Sequence, residues 1–279
     1  MRTLAKPASV AAEVFQRCIS RVADASLKTR LAAVVPDVSA EEQAFATAAG
    51  TASLHTLAPR TCIGRNVKKG ELSAVYTQRM ARKKSAGRGI YDSLMAAPAH
   101  GRCPLCAQRN VSTIDHHLPH TKYPFLAVVP LNLVPACSSC NKIKGTASPS
   151  VARKQTLFPY FDDVEAHLWL YAVVEESTPA SVRFIAQPPS SLAPVMRARI
   201  RHHFSFFKLA DLYTSHAGEE LANISGQLDS LYDKGGEVAV KSHLEDLAVS
   251  RTKVHLNAWQ SALYSALAAS AWYCGGGFR

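Results

Sequence analysis

Four cysteines fall into two pairs, Cys103 with Cys106 and Cys137 with Cys140, each pair separated by two residues. That spacing lets both thiolates of a pair reach one ion from a tight turn. Two such pairs complete the tetrahedral sulfur shell of a structural Zn2+. The stretch between the pairs, residues 107 to 136, is longer than in a compact zinc ribbon, so the clamp must pin the ends of something larger. A module of about 45 residues buries too little surface to fold alone, and bound zinc would make up the deficit. The redox reading of a CxxC pair fits less well, because there are two pairs and no flanking βαβ pattern.

Side chains suited to phosphodiester hydrolysis lie between and beside the cysteines. Asp115 and His116 are adjacent and Pro119 follows. Asn132 precedes Leu133, Asn141 directly follows Cys140, and Lys144 and Gly145 close the segment. A hard divalent cation takes oxygen ligands, which Asp115 and Asn141 can each offer. Such a cation polarises a phosphate and stabilises a departing oxygen. A neutral histidine can take the proton of an attacking water. His117 alternates with His116 along a strand, so the two should face opposite ways. His120 reads as a surface or phosphate-contacting residue. Lys122, Lys142 and Lys144 are candidates for contact with substrate phosphates or, equally, ordinary solvated lysines.

In order, these elements read C-x-x-C, D-H-x-x-P, N-L, C-x-x-C-N and K-G, and the segment resembles the HNH endonuclease superfamily. The resemblance implies a ββα-metal fold: a hairpin carrying Asp115 and His116, a connecting loop, and a helix carrying the last metal ligand. It implies His116 as general base, Asp115 and Asn141 as ligands of a catalytic Mg2+ or Mn2+, and Asn132 as the residue that fixes the loop and so orients the base. Cys103, Cys106, Cys137 and Cys140 match the structural zinc ligands of one large branch. Asn141 stands where many members have His, which makes this an HNN variant. The likeness covers roughly residues 100 to 150. The flanks look like the helical surrounds of bacterial HNH proteins that act beside an ATPase partner in anti-phage defence.

The elements that must position these residues read as mainly helical. Val10, Val14, Ile19, Val22, Leu27, Leu31 and Val34 recur at helical spacing, with Pro36 closing the run, and a second helix is expected from about Ala40 to Leu57. Between residues 65 and 88, Arg65, Lys68, Lys69, Arg79, Arg82, Lys83, Lys84 and Arg88 stand against one acid, Glu71, with Tyr76 among them. That stretch reads either as a phosphate-facing patch or as a solvated helical face. After the cysteine module, residues 168 to 174 fit a strand or a buried helix, and Val182, Phe184 and Ile185 a companion strand. Residues 193 to 232 read as helical, with Met196, Ile200, Phe204 and Phe207 as a core stripe. Gly235-Gly236 reads as a turn, residues 237 to 273 as one or two helices, and the GGGFR end as frayed. The expected fold class is α+β: a mostly helical chain with a central zinc-stapled ββα-metal module. Its regions are a helical 1–97 with a basic segment, a nuclease module at 98–150 and a mainly helical 151–279.

Composition bounds the function. Apolar residues make up 47% of the 279, enough for a packed core. A net charge of +11 favours a polyanionic partner such as nucleic acid. No long apolar run and no secretory signal are visible, so a cytoplasmic protein without membrane contact is expected, and an odd number of cysteines argues against a disulfide framework. Cys18, Cys62 and Cys274 read as small buried hydrophobes. The expected function is DNA hydrolysis by an HNH endonuclease, acting alone or switched on inside a complex. The alternative is a non-catalytic zinc module that binds nucleic acid or protein.

Overall fold

The first fifty residues form three helices rather than two. The computed structural model describes residues 1–60 and 63–279, so the expectation for Cys62 lies outside the described residues. Helix α1, Ala11–Ile19, buries Ala11, Val14, Phe15 and Cys18, one face at the i, i+3, i+4, i+7 spacing. Helix α2, Ala25–Ala32, begins at Asp24, whose carboxylate accepts from Leu27 N at 3.0 Å. Pro36 does not end this run. It lies in the first turn of α3, Val35–Gly50, where a missing N–H costs nothing. The chain then makes a 3-10 turn at Leu54–Thr56, so the second expected helix starts and stops earlier than its apolar pattern suggested.

Helix α4, Lys69–Arg79, carries the basic segment, and α5, Arg88–Ala96, follows it. Glu71 accepts from Lys68 N at 2.7 Å at the start of α4 and takes both terminal nitrogens of Arg30 at 2.9 Å, tying α2 to α4. Next come β1, Thr113–His116, and β2, Leu133–Ala136, an antiparallel pair in which Asp115 faces Val134 and His116 faces Leu133. Helix α6, Ser138–Lys144, leaves directly from β2 and stops at Gly145, whose φ of 50° favours glycine. Helix α5 packs on both strands.

The chain divides into two units, Met1–Asp163 and Val164–Arg279. The first unit takes in the N-terminal helices, the cysteine segment and the residues up to 163, and a boundary at 150 is not seen. Phe158 explains why. Its ring stacks on His117 at 3.8 Å, meets Phe45 of α3 edge-on at 5.8 Å, and is fully buried. Tyr160 donates to Leu133 O at 2.8 Å. The chain start is bound as well, Arg2 N to Pro104 O at 2.8 Å and Leu4 N to Pro159 O at 2.9 Å.

In the second unit, β3, Leu170–Glu175, pairs antiparallel with β4, Ser181–Ala186, so of residues 168–174 those from 170 on are strand. Helix α7, Pro194–Phe206, buries Ile200 and Phe204, and Phe207 beyond it is also buried, so the aromatic stripe is core. Helix α8, Leu209–Val254, is broken at Gly236 (φ 60°, ψ −156°), and α9 is Trp259–Ala269. Asn257 organises the joint: Oδ1 accepts from Trp169 N at 2.9 Å and Nδ2 donates to His167 O at 2.9 Å. The C-terminus is anchored rather than frayed, because Arg279 pairs with Asp229 and Asp233 and lies over the Tyr232 ring. Among the described residues no helix is long and apolar enough to cross a membrane.

Candidate metal centre and the histidine site beside it

The two cysteine pairs come together although 30 residues intervene. The Sγ atoms of Cys103, Cys106, Cys137 and Cys140 all lie within 4.8 Å of one another, and all four residues are buried. Zinc–sulfur bonds of about 2.3 Å at tetrahedral angles place sulfurs ~3.8 Å apart. Cys106 and Cys137 are 4.0 Å apart, near that value and far beyond a disulfide. Local backbone shapes each knuckle. Arg109 N donates to Cys106 Sγ at 3.4 Å, and Ala107 sits in the left-handed region at φ 55°. Cys137 caps α6 and accepts from Cys140 N at 3.3 Å. Contact with the other thiols, Cys103 foremost, holds Cys106 well below the ordinary thiol range and brings Cys137 down to about 7. Contact among the same thiols pushes Cys140 up. Four converging thiols with N–H donors on two of them suit a structural zinc ion. Cys18 and Cys274, by contrast, are buried free thiols.

Strand β1 ends at His116, and His117 directly after it makes different ring contacts. His117 stacks on Phe158. His116 points to α4, where Tyr76 meets it edge-on at 4.4 Å, and to His120 at 4.5 Å between ring centroids. His116 Nε2 is 2.8 Å from Ala127 O. A carbonyl only accepts, so Nε2 carries the proton and Nδ1 keeps the lone pair. Burial pushes His116 down to about 3, with His120 the next cause, so the ring is neutral at pH 7. His120 is half-buried, not a surface residue, and its Nδ1 lies 3.2 Å from Ser73 Oγ of α4.

Asn132 is fully buried. Its Oδ1 accepts from Leu118 N at 2.7 Å, and its Nδ2 donates to Leu118 O at 3.0 Å and Leu126 O at 3.1 Å. The loop from β1 to β2 is therefore closed on a single amide, and that loop presents Ala127 O to His116.

Asp115 is 3% exposed, and Lys144 Nζ lies 3.3 Å from its Oδ2. Burial raises the Asp115 carboxyl to about 6 and the Lys144 ammonium works against that rise. Lys144 also donates to His116 O at 2.5 Å. It is thus a buried partner of Asp115, not the solvated lysine that is one of its two sequence readings. The reason is helical: Lys144 follows Asn141 by three residues, so both face β1. Asn141 Nδ2 donates to Thr113 Oγ1 at 3.2 Å and Ile114 O at 3.4 Å, which leaves its carbonyl oxygen as the side chain's acceptor. Asp115 and Asn141 are thus tied to the β1–α6 joint through different partners, Asp115 through Lys144 and Asn141 through Thr113 and Ile114. Lys142 is exposed, and Lys122 donates to Ser148 Oγ at 3.2 Å. Tyr76, Ser73 and the Ala127 carbonyl carry no motif, and sequence reasoning missed their place in the site.

Fold and site together define a mixed helix-and-strand chain with a buried four-cysteine group able to hold zinc. The chain is similar to protein ea31 of Escherichia phage lambda, 26% identical over 290 positions that span 97% of this chain and 98% of that protein. No family model matches, and no solved structure matches.

Proposed function

We propose that this chain is a metal-dependent endonuclease of the HNH type that hydrolyses phosphodiester bonds in DNA, with β1, β2 and α6 as its ββα-metal module. The observation that carries the reading is the state of His116: neutral, its Nε2 proton committed to Ala127 O, and its Nδ1 lone pair free to take a proton. Asn132 keeps that carbonyl in place through the loop it closes.

In the proposed step, Nδ1 of His116 takes a proton from water as the water oxygen bonds to phosphorus. The opposite P–O ester bond breaks, and the departing oxygen gains a proton from solvent. Asp115 and Asn141 would hold Mg2+ or Mn2+, which supplies polarisation of the phosphate and offsets charge on the departing oxygen. The cysteine group, holding Zn2+, fixes the start of α6 and with it the position of Asn141. A surplus of eleven positive charges supports a polyanionic substrate.

Nicking of supercoiled plasmid in Mg2+ or Mn2+ tests this. His116→Ala should lose about 10²–10⁴-fold in rate while keeping its zinc. Equal rates for variant and wild type would remove His116 from the chemistry.

A second reading keeps the site but makes the isolated chain inactive until it joins a complex. The Lys144 ammonium on Asp115 favours it, because that cation already neutralises the proposed metal ligand. Mass measurement of the protein purified from its own host, set beside the activity of the isolated chain, separates the two.

A further inference from the structure

The basic segment divides sharply once folded. Arg65 pairs with Asp37 at 2.7 Å, and Arg88 with Asp92 at 2.8 Å. Four of the remaining cations gather elsewhere, while Lys68 and Lys69 stand at the start of α4. Arg79, Arg82, Lys83 and Lys84 line one pocket of about 340 Å³ together with Arg21, which follows α1, and no acidic residue lines it. Arg79 Nε is buried with no hydrogen-bond partner among the described residues.

The turn that presents these side chains is firmly built. Gly87 N donates to Arg79 O at 2.9 Å, Ser85 Oγ to Met80 O at 3.1 Å, and Arg88 to Ala81 O at 2.5 Å. Arg17 of α1 donates to Ala86 O at 3.1 Å. Gly87 allows the closure, since a Cβ there would stand 2.5 Å from Cys18 Sγ and 2.9 Å from Arg79 O. A fixed backbone thus holds like charges beside one another, an arrangement that costs energy unless an anion joins it.

We propose that this pocket binds a backbone phosphate of the nucleic acid, on the same strand as the bond that is cut. The proposal rests on the nuclease reading of the histidine site. Helix α4 connects the two places: Ser73 touches His120, Tyr76 touches His116, and Arg79 ends the helix. Six residues at 1.5 Å each set Ser73 and Arg79 roughly 9 Å apart along the axis. Phosphates of one strand rise ~3.4 Å each along the duplex axis and lie farther apart through space, so the pocket receives a group within about three nucleotides of the scissile one.

The test measures binding of a duplex oligonucleotide by fluorescence anisotropy across a salt series. It uses full-length His116→Ala protein without added divalent ion, so that nothing is cut. Adding Arg82→Gln, Lys83→Gln and Lys84→Gln removes three exposed cations from the pocket. The expected result is a log–log salt slope smaller by about 2–3, with tenfold or greater loss of affinity at ~0.1 M salt. The control Lys234→Gln, Lys241→Gln and Lys253→Gln removes the same charge from the second unit and should change the slope by less than about 1. An unchanged slope in the pocket variant, or an equal loss in the control, overturns the proposal. So does a parent protein that binds inorganic phosphate through these residues but no duplex, which would make the ligand a free phosphate. Should the pocket variant lose binding while plasmid nicking proves independent of His116, the pocket stands and the catalytic reading falls.

Discussion

His116, Asn132 and Lys144 each act through contacts with residues distant in the chain. Asn132 satisfies three buried backbone groups with one amide. Asn132→Leu leaves them without partners, and at 1–3 kcal/mol for each buried unsatisfied group the loss should reach about 3 kcal/mol or more. Urea unfolding measures it, and Asn132→Asp should recover only the contact with Leu118 N. Lys144 is the buried counter-charge of Asp115. Lys144→Met should cost about 3 kcal/mol in metal-free buffer, because it strands a buried carboxylate. Millimolar Mg2+ should then restore more stability to the variant than it adds to wild type. Equal Mg2+ responses in the two proteins would show that no divalent ion meets Asp115. The Asp-His pair and both asparagines were legible in the sequence as types and spacing. The burial of Lys144 was not, since a lysine near a helix end is ordinarily solvated.

Helix α4 serves as a strut whose start and end do different things. Its start is held by Arg30, whose hydrogen bonds lower the Glu71 carboxyl from its ordinary 4.5 to about 2, with the Lys68 N–H contributing next. A depressed carboxyl gives stability that is fully present above pH 4.5 and is lost as pH falls toward 2. Glu71→Gln should therefore melt below wild type at pH 7, and the gap should close as pH falls through about 2. A gap that persists at low pH would make the Glu71 contribution one of packing rather than charge. The cationic stretch was visible in the sequence, but which of its members pair off was not. Asp37 and Asp92 lie on α3 and α5, and only the folded arrangement brings Asp37 to Arg65. Tyr76 illustrates the same limit: set among cations, it reads as surface, yet it packs on His116.

For the whole molecule, the four-cysteine group belongs to one unit. About one zinc per chain is expected in the purified protein. A strong chelator, or Cys137→Ser, should lower the melting of the Met1–Asp163 unit, which contains all four cysteines. The Val164–Arg279 unit, closed by Asn257 and by Arg279 on its two aspartates, should keep its helical circular dichroism signal. Loss of both units at one temperature on chelation would contradict this assignment of the metal. The location of the unit boundary was not readable locally. Residues 146–150 have linker composition, but Phe158 and Tyr160 beyond them are core residues of the first unit.

The sequence by itself determined the chemistry that is available: four thiolates at metal spacing, an Asp-His pair, two asparagines and a surplus of positive charge. It also determined most helices, because an apolar face repeats every three or four residues whatever lies opposite. Tertiary structure alone decided what each group is aimed at. It set the tautomer of His116 through a carbonyl eleven residues away, buried Lys144 on Asp115, and drew Arg65 and Arg88 into ion pairs and Arg79, Arg82, Lys83 and Lys84 into a pocket. Those outcomes depend on contacts between residues far apart in the chain, where no spacing rule reaches. The same holds for the clamp, whose CxxC pairs were plain in the sequence but whose convergence on one buried point is a property of the fold.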